Sequence, residues 1–230
     1  MFRYAKRAMR PVLIAFFLVS APSIHADDPG LSLEEVVTLN TASTALMSPT
    51  GEAIAYVLNV PRKLYVDEDG SAWRQLHVVS MDGTSRPYFS GEVRVSRVAW
   101  SPDGNHLYFV GRRDPKADFS DIFRIPLHGG EAAVVYEAKS AIRSIVPSPD
   151  GKTLAFLATD PKPAKDAELA KKGFKAKVYE ESNRFVNVWL LDVESGEAVK
   201  QDLKGAASAL TWAPEGEHYA VGLAPSPRVG

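Results

Sequence analysis

The 230-residue sequence contains no cysteine. This absence excludes disulfide bonds, a thiolate nucleophile, metal sites built on thiolates and attachment of lipid to an N-terminal cysteine. Stability therefore has to come from packing. The composition allows it, because 45% of the residues are hydrophobic and 24% are charged. We expect an ordered chain that buries a core.

Catalytic signatures are missing as well. The sequence has no Gly-x-Ser-x-Gly pentapeptide, the motif that places a serine nucleophile between a strand and a helix. The histidines are not spaced with carboxylates in a way that indicates a catalytic base or a metal site. They are His25, His77, His106, His128 and His218. We therefore expect no catalytic residue, no metal site and no cofactor in this chain.

Long apolar runs are scarce too. The apolar run at 12–19 is well short of the roughly 20 residues that span a bilayer. It follows a basic region and precedes a small residue, Ala26. This pattern is typical of a secretory signal peptide over 1–26 with cleavage after Ala26, and an uncleaved membrane anchor is the alternative. A signal peptide implies a secreted or periplasmic location.

The sequence also has little net charge. The formal net charge is −1 at pH 7, and loss of residues 1–26, which carry four basic and no acidic residues, makes it −5. A mildly acidic chain gives no indication that nucleic acid or an anionic membrane surface is a partner. We expect neither after cleavage of the signal peptide.

What the sequence does contain is a fourfold repeat. A turn with proline second and glycine last separates two apolar strands, and the turn prolines are 53, 47 and 65 residues apart. Proline presets φ for a type I turn, and glycine supplies the left-handed residue that starts the returning strand. The four turns are Ser48-Pro49-Thr50-Gly51, Ser101-Pro102-Asp103-Gly104, Ser148-Pro149-Asp150-Gly151 and Ala213-Pro214-Glu215-Gly216.

The strand after each turn is apolar at three consecutive positions, the third to the fifth after the glycine. A strand without alternation is typical of one that is covered on both faces. Trp100 and Trp212 precede two of the turns, where a large ring can pack between neighbouring sheets. The apolar triplets are Ile54-Ala55-Tyr56, Leu107-Tyr108-Phe109, Leu154-Ala155-Phe156 and Tyr219-Ala220-Val221.

A second hairpin follows each of the first three turns, so each complete repeat has four strands. Four-stranded units of roughly 40–50 residues are typical of β-propeller blades. The predicted fold is therefore all-β: a β-propeller of four-stranded antiparallel blades in a domain over 27–230. About three blades are complete, at 43–91, 92–140 and 141–205, and 206–230 is part of a fourth.

Two short helices are expected beside the blades. Ser32 and Glu35 have the spacing of a capping box, which predicts a short N-terminal helix at about 33–39. The third interval between turns is long because it carries an insert at about 161–184. Within this insert, 164–172 favours a helix that Gly173 ends.

An acidic pair, Glu180 and Glu181, follows the insert helix. Two adjacent carboxylates on an exposed excursion could hold the amino terminus of a peptide by charge-assisted hydrogen bonds. A solvated acidic pair before a strand is the simpler interpretation. The residues alone leave both interpretations open.

Five further segments carry a resemblance: Leu33-Glu34-Glu35-Val36-Val37, 67–73, 172–181, Val188-Trp189-Leu190-Leu191-Asp192-Val193 and Leu223-Ala224-Pro225-Ser226-Pro227. Together with the turns they resemble the secreted bacterial serine peptidases of the prolyl oligopeptidase family. The similarity is to the acylaminoacyl-peptidase and dipeptidyl-peptidase-like branch, and it extends over nearly the whole chain after residue 26. The Pro-Asp-Gly turns are shared with many periplasmic propellers, whereas the insert and the strand after it are more specific.

The resemblance implies an N-terminal propeller that caps an α/β-hydrolase domain and restricts entry to small or unfolded peptides. The family's serine, aspartate and histidine would lie downstream, so we expect a non-catalytic portion truncated before the catalytic domain. A peptide substrate would reach the chain through that missing domain. The resemblance also implies that Glu180 and Glu181 hold the amino terminus of the substrate.

A freestanding periplasmic propeller that binds another protein is the alternative. The propeller of the Tol envelope system has the same Ser-Pro-Asp-Gly turns. An incomplete propeller would leave one sheet edge unpaired and one apolar sheet face uncovered, which favours pairing with other chains. We therefore expect self-association through the open edge.

Overall fold

The computed structural model describes residues 30–161, 163, 168–169, 171–174 and 184–225. The predicted signal peptide and the pair Glu180 and Glu181 lie outside the described residues. The described regular structure is mostly β-strand, with one short α-helix, α1 (Leu33–Thr38). The strands are β1 (Thr41–Met47), β2 (Ala53–Val60), β3 (Trp73–Ser80), β4 (Ser85–Phe89), β5 (Arg94–Trp100), β6 (His106–Arg112), β7 (Asp121–Pro126), β8 (Ala133–Tyr136), β9 (Ile142–Pro147), β10 (Thr153–Thr159), β11 (Val186–Asp192), β12 (Ala198–Lys200), β13 (Ala206–Trp212) and β14 (Tyr219–Ala224).

The helix α1 begins at the predicted capping box. The Glu35 amide donates to Ser32 Oγ at 3.2 Å, and the Ser32 amide donates to Glu35 Oε2 at 2.8 Å. These two hydrogen bonds pair backbone donors that the first helical turn would otherwise leave unsatisfied. No residue of α1 is buried. No helix in the described part of the chain is long and apolar enough to cross a bilayer.

The predicted helix of the insert stays a prediction, because the structure describes only a few of its residues. Among these, the Lys172 amide donates to the Glu168 carbonyl at 3.1 Å, and the Phe174 amide donates to the Leu169 carbonyl at 3.0 Å. Gly173 lies between these donors with φ of +90°. A left-handed glycine in this place is typical of a helix C-terminus.

The strands form four consecutive antiparallel units. The first is β1–β4, the second β5–β8, the third β9–β12, and the fourth is the hairpin β13–β14. One parallel pair, Arg74 of β3 with Arg94 of β5, joins the first two units into a single eight-stranded sheet. Across the described residues the structure shows a series of sheets and not a closed propeller.

The four Pro-Gly turns close the first hairpin of each unit as predicted. In each turn the glycine amide donates to the carbonyl three residues before it at 2.9 Å. The glycines have φ between +72° and +81°, a region that costs other L-residues free energy. The glycines are Gly51, Gly104, Gly151 and Gly216.

The core lies between consecutive units. Along β6, Leu107 and Phe109 face the first unit, whereas Tyr108 and Val110 face the third. The Phe109 ring stacks on Phe123 with centroids 5.3 Å apart. Successive side chains of a strand point to opposite faces, so a strand between two neighbouring sheets buries both sets. The prediction of strands covered on both faces is confirmed for β6 and for β10, whose central residues are buried throughout.

The corresponding strands of the outer units are covered on one face. In β2 the residues Ala53, Ala55 and Val57 are buried against the second unit, whereas Ile54 and Tyr56 are half-buried on the other face. In β14 no residue is buried. The triplet pattern therefore overestimates burial in these two strands, because a single described neighbour covers each of them.

Candidate functional site

The topology gives the stack of units two different ends. The Pro-Gly turns lie at one end, here called the corner end. The opposite end, here called the loop end, has the connections 61–72 and 113–120 between the second and third strands of the first two units. The described ends of the third such connection, Asp160 and Phe185, lie there too. The short links from one unit to the next, at 90–93, 137–141 and 201–205, also lie at the loop end. Glu180 and Glu181 belong to the third long connection, and their positions are outside the described residues.

Hydroxyl groups at the corner end are engaged in the turns themselves. The Ser101 side chain is 4% exposed, donates to Asp103 Oδ1 and accepts from the His106 amide at 2.9 Å. The hydroxyl donor and the Asn105 amide at 3.0 Å lower the pKa of the Asp103 carboxyl to about 2. An ionised carboxylate that accepts these bonds rigidifies the turn. Ser101 is consequently part of a turn and not an activated nucleophile.

The same corner end has an open cleft between the second and third units. Its charged and polar lining is mixed in sign, with Asp103, His106, Tyr108, Arg124, Lys152 and Glu194 among the residues. Burial raises the pKa of Tyr108. Acyl transfer requires a nucleophile that is hydrogen-bonded to an aligned base. The described residues that line the cleft do not form such a pair.

One described histidine, His77, lies in β3 beside a polar and an aromatic neighbour. His77 Nε2 lies 3.2 Å from Gln75 Oε1, and its ring is 5.5 Å from the Tyr56 ring. Burial lowers the pKa of His77, which favours the neutral ring. Within the described ranges, no group of three His, Asp or Glu side chains is placed to hold a metal ion.

The first strand of every unit carries a one-residue bulge. The register shifts across Thr44 in β1, Arg97 in β5, Arg143 in β9 and Ser208 in β13. All four bulged residues are exposed, and Arg97 Nε donates to the Arg143 carbonyl of the next unit. A bulge redirects a side chain away from the regular pleat. The four bulged side chains are therefore exposed at positions that regular alternation along a strand does not predict.

An arginine cluster lies at the loop end between the first and second units. It consists of Arg62, Arg74, Arg94 and Arg112, and the last three are cross-strand neighbours in β3, β5 and β6. The Arg62 guanidinium lies 4.1 Å above the Trp73 ring and donates to the Ser71 and Glu68 carbonyls. Sequence reasoning did not single out these residues. They are 12, 20 and 18 residues apart, and only the pairing of the strands brings them together.

No family model matches the chain. The curated protein "Uncharacterized peptidase YuxL" from Bacillus subtilis (strain 168) is 24% identical over 126 residues. That match covers 54% of this chain and 18% of the Bacillus protein.

Many solved structures resemble the fold, a peptidase and a TolB-like protein among them. An acylaminoacyl peptidase in complex with Z-Gly-Gly-Phe-chloromethyl ketone has a TM-score of 0.61 at 18% identity, over 85% of this chain and 30% of that chain. The putative TolB from Agrobacterium tumefaciens has a TM-score of 0.50 at 19% identity, over 80% of this chain and 60% of that chain. At these identities the likeness shows the fold alone, which is one that peptidases and a TolB-like protein share. The chain spans less than a third of the length of either peptidase.

Proposed function

We propose that this chain is the non-catalytic propeller portion of a secreted serine peptidase that acts on peptides. In this proposal the propeller restricts access to an α/β-hydrolase domain encoded outside these 230 residues. The observation that carries it is the likeness to acylaminoacyl peptidase over 85% of the chain. The sequence match to the Bacillus peptidase over 126 residues supports the same assignment independently.

The chemistry of the described residues agrees with a passive role. The corner hydroxyls of Ser48, Ser101 and Ser148 each accept a backbone amide and are at most 4% exposed. In this proposal the sheets limit the size of the peptide that reaches the hydrolase domain, a task that requires no reacting group. The proposed contribution to the reaction is therefore selection of the substrate before acyl transfer.

The gene provides the first test. The DNA adjoining the codon for Gly230 is expected to encode Gly-x-Ser-x-Gly, in frame or in a shifted frame. An unrelated neighbouring gene without any hydrolase remnant would contradict the proposal. The 230-residue chain alone is expected to show no peptidase turnover, and turnover that a serine-reactive inhibitor abolishes would contradict its non-catalytic role.

The gating role needs a second experiment on the complete peptidase. Cleavage of a short peptide and of a folded protein that contains the same peptide in a loop would be compared, with and without the propeller. We expect the complete enzyme to cleave the free peptide and to spare the folded protein. Equal discrimination by the hydrolase domain alone would remove the gating role and leave the family assignment intact.

Glu180 and Glu181 belong to this proposal as the groups that hold the amino terminus of the peptide. A carboxylate binds an ammonium group by charge-assisted hydrogen bonds. In the complete enzyme, Glu180→Gln with Glu181→Gln should raise KM for peptides with a free amino terminus and leave KM for N-acetylated peptides unchanged. An equal rise in KM for both substrates would mean that the two glutamates support the structure and do not bind the amino terminus.

A freestanding binding scaffold is the second candidate. The TolB-like structure favours it, because this chain covers 60% of that much shorter relative. The peptidase and scaffold proposals predict different neighbouring genes and different binding partners. A scaffold would bind another envelope protein with measurable affinity and would have no effect on the size of peptide that any hydrolase accepts.

A further inference from the structure

The arginine cluster brings positive charges together without a described counter-charge. Arg74 of β3 is the cross-strand partner of Arg94 of β5, and Arg94 is in turn the partner of Arg112 of β6. Residues paired directly across strands point to the same face of a sheet. Arg62 adds a fourth guanidinium, close enough for its charge to act on Arg94.

The hydrogen bonds of the cluster are incomplete. The Nε atoms of Arg74, Arg94 and Arg112 are buried and have no hydrogen-bond partner in the structure. Arg112 Nη1 donates to the Ala117 carbonyl at 2.7 Å, whereas no described hydrogen bond comes from the guanidinium groups of Arg74 and Arg94. Buried donors in folded proteins are nearly always paired, so three orphaned N–H groups side by side need an acceptor.

The described residues supply no such acceptor with a negative charge. Among them the one ion pair within 4.0 Å joins Lys200 to Asp160, which lie outside the cluster. Burial lowers the pKa of Arg94, and the charges of Arg112 and then Arg62 lower it further. Guanidinium groups nevertheless keep their proton at neutral pH. The repulsion between them is thus present in the folded chain, and an anion would relieve it.

The geometry of the cluster suits a planar or tetrahedral oxyanion. Three arginine backbones in one row are spaced as neighbouring strands are, about 5 Å apart. Each guanidinium offers a fork of parallel N–H donors that matches a carboxylate or a phosphate. The Arg62 guanidinium is fixed by the Trp73 ring and by two carbonyls. Gly70 covers it so closely that a Cβ there would lie 2.8 Å from it.

We infer that Arg74, Arg94 and Arg112, with Arg62 beside them, form a binding site for an oxyanion group, a carboxylate or a phosphate, at the loop end between the first and second units. The inference does not depend on the proposed peptidase function, because the binding belongs to this chain and is measured on it directly. It adds a ligand-binding site at residues that the sequence analysis does not single out.

The test uses the purified full-length chain in a buffer of low ionic strength. Three probes would be titrated: inorganic phosphate, N-acetyl-alanyl-alanine with a free carboxylate, and its C-terminal amide. The readouts are the NMR signals of the arginine Nε–H groups and the midpoint of thermal unfolding. Phosphate or the free carboxylate should shift the Arg94 Nε–H signal and raise the midpoint, and the amide should do neither.

The two anions distinguish the sources of the oxyanion. Tighter binding of the free carboxylate than of phosphate assigns the site to peptide ends or acidic side chains, and the reverse assigns it to a phosphorylated ligand. The doubly substituted chain Arg94→Gln with Arg112→Gln should bind the preferred anion about tenfold more weakly or worse, since charge-assisted hydrogen bonds are lost. Arg86→Gln, at an exposed position in β4, is the matched control and should bind as the original chain does.

Three results would overturn the inference: no shift with either anion, equal binding of the amide, or unchanged affinity in the doubly substituted chain. If that chain does not fold, Arg94→Lys replaces it, because lysine keeps the charge and loses the planar fork. Its affinity should still fall, and unchanged affinity would equally contradict a site built on guanidinium geometry.

Discussion

The indole N–H of Trp100 donates to the backbone carbonyl of Leu46 at 3.0 Å, from the last residue of β5 to the last but one of β1. The same bond recurs two units later, where Trp212 donates to the Val146 carbonyl at 3.0 Å. Each tryptophan thus joins one unit to the unit before it at the corner end. The same local contact therefore joins the first unit to the second and the third unit to the fourth.

The first prediction concerns this indole hydrogen bond. Trp100→Phe keeps an aromatic ring between the first two units but leaves the Leu46 carbonyl without its donor. The free energy of unfolding should fall by about 1 kcal/mol more than the loss of ring size alone explains. Chemical denaturation of the full-length chain measures it.

Trp189→Phe is the matched control for ring size. The Trp189 Nε1 atom is buried without a hydrogen-bond partner in the structure, and its ring stacks on Phe156 with centroids 6.0 Å apart. Trp189→Phe removes a donor that has no partner, so it should lower the free energy of unfolding by less than Trp100→Phe does. An equal loss at both positions would show that the bond from Trp100 contributes nothing.

The second prediction separates backbone strain from packing between corners. A Cβ at Gly104 would lie 3.1 Å from Thr50 Cγ2 of the preceding corner, whereas a Cβ at Gly51 has nothing within 4 Å. The two glycines have φ of +72° and +75°. Gly51→Ala should therefore cost roughly 1–2 kcal/mol of unfolding free energy for the left-handed backbone alone, and Gly104→Ala should cost more.

Thermal and urea unfolding of both variants measure the difference. A Gly104→Ala variant that is as stable as Gly51→Ala would mean that adjacent corners do not pack against each other in solution.

The third prediction concerns acid stability. The Ser101 hydroxyl and the Asn105 amide lower the pKa of the Asp103 carboxyl in the folded chain from 3.8 to about 2. A group with a depressed folded-state pKa stabilises the fold above the unfolded value and loses that contribution as the pH falls through the folded value. Stability from Asp103 should therefore be complete above about pH 4 and disappear between pH 4 and pH 2.

Urea unfolding of Asp103→Asn across this pH range measures the effect, because the variant should lose less stability on acidification than the original chain. Glu215→Gln is the matched control, since its corner has Ala213 in place of the serine. Identical pH profiles of Asp103→Asn and the original chain would contradict the assignment.

The fourth prediction concerns self-association, which follows from the uncovered face of the first unit. Ile54 is the cross-strand partner of Met47 and of Val79, and Leu58 lies further along the same face. Met47 is 56% exposed. An apolar face of this kind favours contact with another chain, so light scattering should show an apparent mass that rises with concentration.

Ile54→Lys with Leu58→Lys should reduce that rise, because two charges oppose burial of the face. Tyr65→Lys, at a fully exposed loop position, is the control and should leave association unchanged. A stable monomer at all concentrations in the original chain would contradict the prediction.

Sequence reasoning predicted the local parts of the fold well. The four corners, the left-handed glycines and the capping box of Ser32 and Glu35 depend on residues within a few positions of one another, so residue type and spacing indicate them directly. The role of Glu180 and Glu181 as a substrate site stays a prediction. Glu180 and Glu181 lie outside the described residues, and the arginine cluster has no motif in the sequence because its members come from different strands.

The amino-acid sequence by itself determined where the chain turns and which segments extend, because proline, glycine and apolar periodicity act over single turns and strands. The tertiary structure alone decided which strands are covered on both faces. It also decided that Arg74, Arg94 and Arg112 stand side by side. Strand coverage and the arginine row both depend on how strands that are far apart in the chain pair and pack. Local residue preferences do not determine that pairing.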